Sequence, residues 1–259
     1  MKYALVDGYK TEPQPNLRGI CIYCQNETVS KCGPVRVKHW AHKSKILCDS
    51  WWENETEWHR AWKNCFPEEW QEHIHHDDQS GKKHIADVRT AHGLIIEFQH
   101  SHLDPQERSA REQFYKNMVW VVDGTRLKSD YKRFLKGIAK RHQLKAEGFF
   151  LLPFPDECFP NAWVQSTVPI LFDFRGATPA NPTDMMSEPL WCLLPGRAEG
   201  RAVIAGVSRD QFIQIASERA TLLPANEIVN ACAEQLRGSR RIAAPQFIRS
   251  TGMRRHRRI

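Results

Sequence analysis

Cys21-Ile22-Tyr23-Cys24 places two thiols two residues apart, a spacing from which both can face one ion across a turn. Fourteen residues then intervene before His39-Trp40-Ala41-His42, and five more before Cys48. Tetrahedral zinc needs four nitrogen or sulfur ligands. Cys21 and Cys24 supply two. The other two come from His39, His42 and Cys48, with Cys32 a weaker source. Four protein ligands leave no open position, so the expected role is structural. Binding energy on the order of 10 kcal/mol would order a segment poor in aliphatic residues. Trp40 is expected to pack beneath the site. The competing reading is a pair of buried thiols and two surface histidines.

A second group is acidic. Glu97 and Gln99 are two apart in Leu94-Ile95-Ile96-Glu97-Phe98-Gln99, so in a strand they share a face, with Ile96 and Phe98 on the other. A carboxylate inside so apolar a run is costly unless it is paired or metal-bound. Asp87 lies on the adjoining run across the turn Ala91-His92-Gly93. Two carboxylates held close on strands repel unless a cation lies between them, and oxygen ligands with water suit Mg²⁺ or Mn²⁺. Glu57 is a candidate third carboxylate. His59 and Lys63 are i, i+4 neighbours on the polar face of the same helical stretch. Taken singly, Glu57, His59 and Lys63 also fit a solvated helix surface, and Asp87 a turn cap.

The elements that must position these residues are legible as patterns. Trp58, Trp62, Cys65 and Phe66 recur at helical spacing, which predicts a helix from about Glu53 to Phe66, stopped by Pro67. Strands follow near Trp70–His75, Lys83–Thr90 and Leu94–Gln99. Asp104, Pro105 and Glu107 form a helix start with a capping box, and that helix runs to about Asn117. Met118–Val122 is an apolar run too short for a helix and predicts a buried strand. The order is α-β-β-β-α-β. Further on, Val168–Phe174, Leu190–Leu194 and Ala202–Val207 read as strands. Ser208 with Gln211 caps a helix, and Val229, Cys232, Ala233 and Leu236 line the face of another. Three regions result: a Cys/His module over 1–50, the alternating core over 51–152, and a mixed α/β subdomain over 153–259 that begins at the Pro-rich Leu152–Asp156.

Composition bounds the class. The 259 residues are 41% hydrophobic and 26% charged, as in a globular protein. No stretch approaches the ~18 apolar residues of a membrane helix, and no apolar leader follows Met1, so a cytoplasmic protein is expected. Eight cysteines accompany twelve histidines, ten of them between His39 and His102, which favours metal over disulfides. Cys158, Cys192 and Cys232 stand isolated and read as plain thiols. The net charge of +7 favours a polyanionic partner, and Arg254–Arg258 form a short basic tail.

Together, Ala86-Asp87-Val88, Ile96-Glu97-Phe98-Gln99-His100-Ser101, Arg111, Tyr115 and Trp120-Val121-Val122-Asp123 resemble the competence protein CoiA family. So do the upstream Cys21-x2-Cys24, His39-Trp40-Ala41-His42, Thr56-Glu57-Trp58-His59 and Lys63. The resemblance covers about residues 18–125 and weakens beyond 150. That family is placed among the PD-(D/E)XK nucleases, so the resemblance implies an α/β (α+β) fold with a restriction-endonuclease-like αβββαβ core. It also implies Asp87 and Glu97 as Mg²⁺ ligands, with Glu57 nearby and DNA as substrate in uptake, recombination or defence against foreign DNA. Gln99 would stand where the wider superfamily has lysine, with Lys63 or Lys83 as the replacement. His59, Arg111 and Tyr115 would contact the substrate. Two rivals remain: a catalytically silent zinc-containing DNA-binding module, and a subunit of a larger machine that docks a protein partner through residues 153–259, where Trp163 and Trp191 are candidate contacts.

Overall fold

The computed structural model describes residues 1–243 except 45–47, 52, 78–80 and 145–147. The basic tail Arg254–Arg258 lies outside the described residues. Five short strands open the chain: β1 (Ala4–Val6), β2 (Tyr9–Thr11), β3 (Arg18–Ile20), β4 (Glu27–Lys31) and β5 (His39–His42). They form an antiparallel sheet in the order β2-β1-β3-β4-β5. Its small core holds Met1, Ala4, Cys21 and Trp40. A side chain at Gly19 would lie 3.0 Å from the Leu5 carbonyl and 3.3 Å from the Trp40 ring, so only glycine lets the indole lie this close to β3.

The second region is α1 (Glu57–Lys63), β6 (Gln71–His76), β7 (Lys83–Arg89), β8 (Ile95–Gln99), α2 (Pro105–Tyr115) and β9 (Met118–Asp123). This element order agrees with the sequence pattern. The helix bounds differ. Thr56 is the N-cap of α1, its hydroxyl accepting from the His59 amide, so Glu53–Glu55 stay extended and Cys65 falls beyond the helix and is exposed. Asp104 caps α2 by accepting from the Gln106 and Glu107 amides, but Glu107 does not close a capping box; its carboxylate accepts from Arg111.

The chain continues through α3 (Asp130–Ile138), β10 (His142–Gln143), β11 (Phe149–Leu152), α4 (Pro155–Cys158), α5 (Asn161–Val164), β12 (Ile170–Asp173), β13 (Leu190–Leu193), β14 (Ala202–Val207), α6 (Arg209–Glu218) and α7 (Ala225–Ala243). Ser208 and Gln211 form the expected capping box of α6. Nine strands make one mixed sheet in the order β10-β11-β14-β13-β12-β9-β8-β7-β6. β9 lies parallel to both β8 and β12. The sheet therefore crosses the expected boundary at 152 without a break. Trp163 and Trp191 lie in the core, the more common place for such residues.

Both faces of the sheet are covered, which is why the central strands read as unbroken apolar runs. Trp120 and Val122 face one core, with Phe134, Phe159 and Phe172. Val119 and Val121 face the other, with Trp62, Phe98 and Phe212. No helix among the described residues is long and apolar enough to cross a membrane.

One buried carboxylate joins the two halves. Asp173, 1% exposed, ends β12 and accepts from the indole N–H groups of Trp58 (2.9 Å) and Trp62 (3.0 Å) through one oxygen. Arg209 donates to the same oxygen and stacks over Trp62. This fixes α1 about its own axis. Asp173→Ala would strand two indole donors and a guanidinium, so it should cost about 3–5 kcal/mol in urea unfolding. A loss below about 1 kcal/mol would show that the clamp carries little.

Candidate functional site

The two tryptophans of α1 face the sheet core, and its other buried face carries His59 and Lys63. Helix rotation thus turns both residues inward, where the sequence pattern has them on a polar surface. They meet Asp87. His59 Nε2 lies 2.8 Å from Asp87 Oδ2, and Lys63 Nζ lies 3.2 Å from Oδ1. The remaining ring nitrogen of His59, Nδ1, is buried and has no partner among the described residues.

Strands β7 and β8 part at this point. Their register runs through Arg89↔Ile95 and Val88↔Ile96 and stops there. Beyond it each carboxylate satisfies the other strand's amide: Asp87 N–H donates to Glu97 Oε1 (3.2 Å), and Phe98 N–H donates to Asp87 Oδ2 (3.0 Å). The splay opens a cavity of about 60 Å³. One water needs about 10–15 Å³ by the same measure, so the space suits an ion with a few waters and not a nucleotide.

Six carboxylates line the cavity, those of Asp49, Glu53, Glu55, Glu72, Asp87 and Glu97, against two permanent cations, Lys63 and Arg111. Lys63 also reaches Glu55 (3.4 Å) and Glu72 (3.1 Å). Burial opposes its charge, but Glu72, Asp87 and Glu55 outweigh burial and hold the ammonium charged. Asp87 resists burial in the same way and stays well below the usual carboxylate range, through His59, Lys63 and the Phe98 amide. Glu97 goes the other way: burial and then repulsion from Asp87 push it up to about 8, with Arg111 Nη1 at 3.4 Å only partly offsetting them. Burial and the neighbouring Asp87 thus favour the protonated form of Glu97.

Gln99 is buried and turned to one side. Its amide donates to Glu53 and to the Ser101 hydroxyl (3.2 Å). Arg111 joins Glu97 to the Trp51 carbonyl (2.9 Å). Three expected participants lie elsewhere. Glu57 is exposed at the first turn of α1 and does not line the cavity. Tyr115 is buried against Trp51 and His75, its hydroxyl without a partner among the described residues, also outside the cavity. Lys83 donates to the Tyr23 carbonyl (3.0 Å) and covers that ring, so it is not available as a base.

Asp49, Glu53, Glu55 and Glu72 were not among the expected site residues. Asp49, Trp51, Glu53 and Glu55, at every second position before α1, all line the cavity. Their period-two spacing is the signal available in the sequence. Glu72 gives no such signal, because a backbone at φ 48 turns it inward, where the Lys2 and Tyr3 amides donate to it (2.6 and 3.0 Å).

A second donor group lies alongside. Cys21, Cys24, His42 and Cys48 place their ligand atoms within 4.8 Å of one another. Cys21 and Cys48 sulfurs are 3.6 Å apart, and Cys24 Sγ is 3.2 Å from His42 Nε2. Tetrahedral zinc with these ligands would space them about 3.5–3.8 Å apart. The cluster can therefore hold such an ion. His39 is left out: on β5 it alternates with His42, and its Nδ1 meets the Val37 carbonyl (2.8 Å). Cys32 is also outside the cluster. Burial pushes the Cys21 and Cys48 thiols up, whereas hydrogen bonds from Asn26, Cys48 and Cys21 overcome burial at Cys24 and bring it down to about 6.

The cluster is fastened to β7. Tyr23 O–H donates to the Lys83 carbonyl (2.7 Å), and Asp49, next to Cys48, takes the Ile85 amide (2.8 Å) and pairs with His84 (2.8 Å). Among the described residues this is the one group of three or more His, Cys, Asp or Glu donors that converges so closely. No protein-family profile, curated protein or solved structure matches the chain.

Two outcomes follow from this geometry. His42→Ala should lose the bound metal on elemental analysis, and His39→Ala should keep it; the reverse would mean the ligand set is wrong. For Glu97 the raised value means that the fold prefers the protonated form. Its stability contribution is complete below the ordinary carboxylate pKa and is lost as pH rises to about 8. Zinc-loaded protein without Mg²⁺ or Mn²⁺ should thus lose thermal stability between about pH 5 and 8. Glu97→Gln should flatten that slope, and an unchanged slope would remove Glu97 as its cause.

Proposed function

We propose that this chain is a cytoplasmic, metal-dependent deoxyribonuclease of the PD-(D/E)XK type, built beside a structural zinc module. The observation that carries the reading is the meeting of Asp87 and Glu97 where β7 and β8 part, with Lys63 3.2 Å from Asp87. The succession α1-β6-β7-β8-α2-β9 supports it, being the αβββαβ order of that core. The Cys21, Cys24, His42 and Cys48 set is the one we assign to zinc.

Asp87 and Glu97 offer two hard oxygen ligands with room for waters, as Mg²⁺ or Mn²⁺ takes them. A divalent ion held by Asp87 and Glu97 would supply a more acidic water and charge stabilisation for the leaving oxygen. The chain's own groups do the rest. Glu97 would ligate such an ion in its ionised form, its proton passing to solvent. Lys63, enclosed and kept charged by its three carboxylates, takes the electrostatic role of the superfamily lysine through its field alone, without touching the transferring phosphate. Arg111 holds Glu97 in place from α2. Gln99 does not occupy the lysine role, because its amide is spent on Glu53 and Ser101. The cavity admits no nucleotide, so the scissile phosphate stays at its mouth.

The silent DNA-binding module is the second reading, and one observation favours it: Lys63 is already shared among three carboxylates.

Plasmid, linear and single-stranded DNA incubated with Mg²⁺ or Mn²⁺ should be cleaved. Asp87→Ala and Glu97→Ala should reduce cleavage at least about 1,000-fold, and Lys63→Met about 100-fold, with zinc content kept. Gln99→Lys should bring no gain, since a lysine there would pair with Glu53. Full cleavage by the Asp87 and Glu97 variants sinks the site. Wild type that binds DNA but cuts none moves the choice to the silent module.

A further inference from the structure

Between β4 and β5 the chain makes a turn, Cys32-Gly33-Pro34-Val35-Arg36-Val37-Lys38, whose tip stands clear of the protein. Val35 is 92% exposed, the highest value among the large exposed apolar residues. Lys31, Arg36 and Lys38 are exposed around it, and none of the three has an ion pair among the described residues. From Thr28 to Ser44 the chain contains no Asp or Glu. Lys43, the other cation of this stretch, is matched by Glu27 at 2.7 Å. An apolar tip within a ring of unmatched cations has no role in the protein's own packing.

The hairpin is aimed by its surroundings. Arg60 of α1 donates to the Lys38 carbonyl (2.9 Å), tying the base of the turn to the helix that carries His59 and Lys63. Between the tip and the start of α1 runs a trough of about 410 Å³, lined by Val35, Arg36, His39, Thr56 and Glu57 among others. Met1 and Glu55 belong to the walls of both this trough and the carboxylate cavity. The trough and the carboxylate cavity thus share a wall, and the trough lies beside the place where Asp87 and Glu97 meet.

We infer that the β4–β5 hairpin is the DNA grip of this protein. Lys31, Arg36 and Lys38 take successive backbone phosphates, and Pro34 and Val35 press against base edges, as apolar wedges do in a groove. The strand leaving the grip runs along the trough to the cavity mouth. Phosphate contacts of this kind position the substrate without reading its sequence. Glu57 is the one acid in the trough with no cation partner among the described residues, and it opposes the strand's approach. The inference rests on the reading of the chain as acting on DNA and adds where the DNA is held.

The test measures binding of a fluorescent DNA duplex between 50 and 200 mM salt, with Ca²⁺ replacing Mg²⁺. Each lost phosphate contact lowers the slope of log K against log salt by about 0.9, so replacing Lys31, Arg36 and Lys38 together by Ala should lower it by about 2.7. Binding should weaken about 10- to 100-fold. Melting temperature and metal content should not change. A triple replacement of the exposed Lys128, Lys132 and Lys136 by Ala should leave the slope nearly as it was. Glu57→Gln should tighten binding about threefold. Under Mg²⁺ the hairpin variant should raise KM and spare kcat. Hydrogen exchange on the unaltered protein gives an independent reading: amides of Gly33–Lys38 should be protected when DNA is added. Binding by the wild type with an unchanged slope in the hairpin variant, or no protection at the tip, overturns the grip and leaves the nuclease reading standing. A wild type that binds no DNA overturns both.

Discussion

A single buried ammonium holds the site together. Lys63 sits in a fully enclosed position and touches Glu55, Glu72 and Asp87. Each of those carboxylates belongs to a different part of the chain: the extended segment before α1, the start of β6, and β7. Through Glu72 the tie extends to the amides of Lys2 and Tyr3 and so to the five-stranded sheet. A charge moved out of water costs several kcal/mol unless it is paired, and that cost forces the three acids to converge. His59 and Lys63 hold Asp87 low against burial, while burial and repulsion from Asp87 push Glu97, ten residues on in the chain, the other way.

The same logic explains why the chain cannot be cut into a site and an appendage. Lys63 points where it does because α1 is held in rotation by Trp58 and Trp62, and both indoles depend on Asp173 from β12. Arg209, at the start of α6, shares that carboxylate. Beyond it, β12 adds to β9 in parallel, and β13, β14 and β11 extend the sheet. The described residues from β12 through α6 are thus part of the frame of the site. On the opposite side, Tyr23 and Asp49 lash the Cys/His cluster to β7, so that order in the cluster bears on the strand that carries Asp87.

Local pattern alone determined much of this. The element order of the second region, the helix start at Asp104, the capping box at Ser208 and the buried strand at Met118–Val122 follow from short-range rules of capping and periodicity. So does the sharing of a face by Glu97 and Gln99. The pairing of Asp87 with Glu97 was legible because only a tight turn separates their strands. Cys21 and Cys24 were legible for the same reason, two residues on one turn.

Tertiary structure decided what lies between distant segments. Periodicity places His59 and Lys63 on a polar face, and only packing shows that this face is turned into a charged cavity, since charge complementarity across three segments leaves no mark in local spacing. The choice of His42 over His39 depended on which face of β5 meets the cluster. Glu53 and Glu55 replaced Glu57 because the Thr56 cap ends the extended segment one residue before it. Glu72 was hidden in the sequence: a backbone at φ 48 turns it inward, and a side chain's direction at such a residue is set by the contacts it makes and not by its neighbours in the chain.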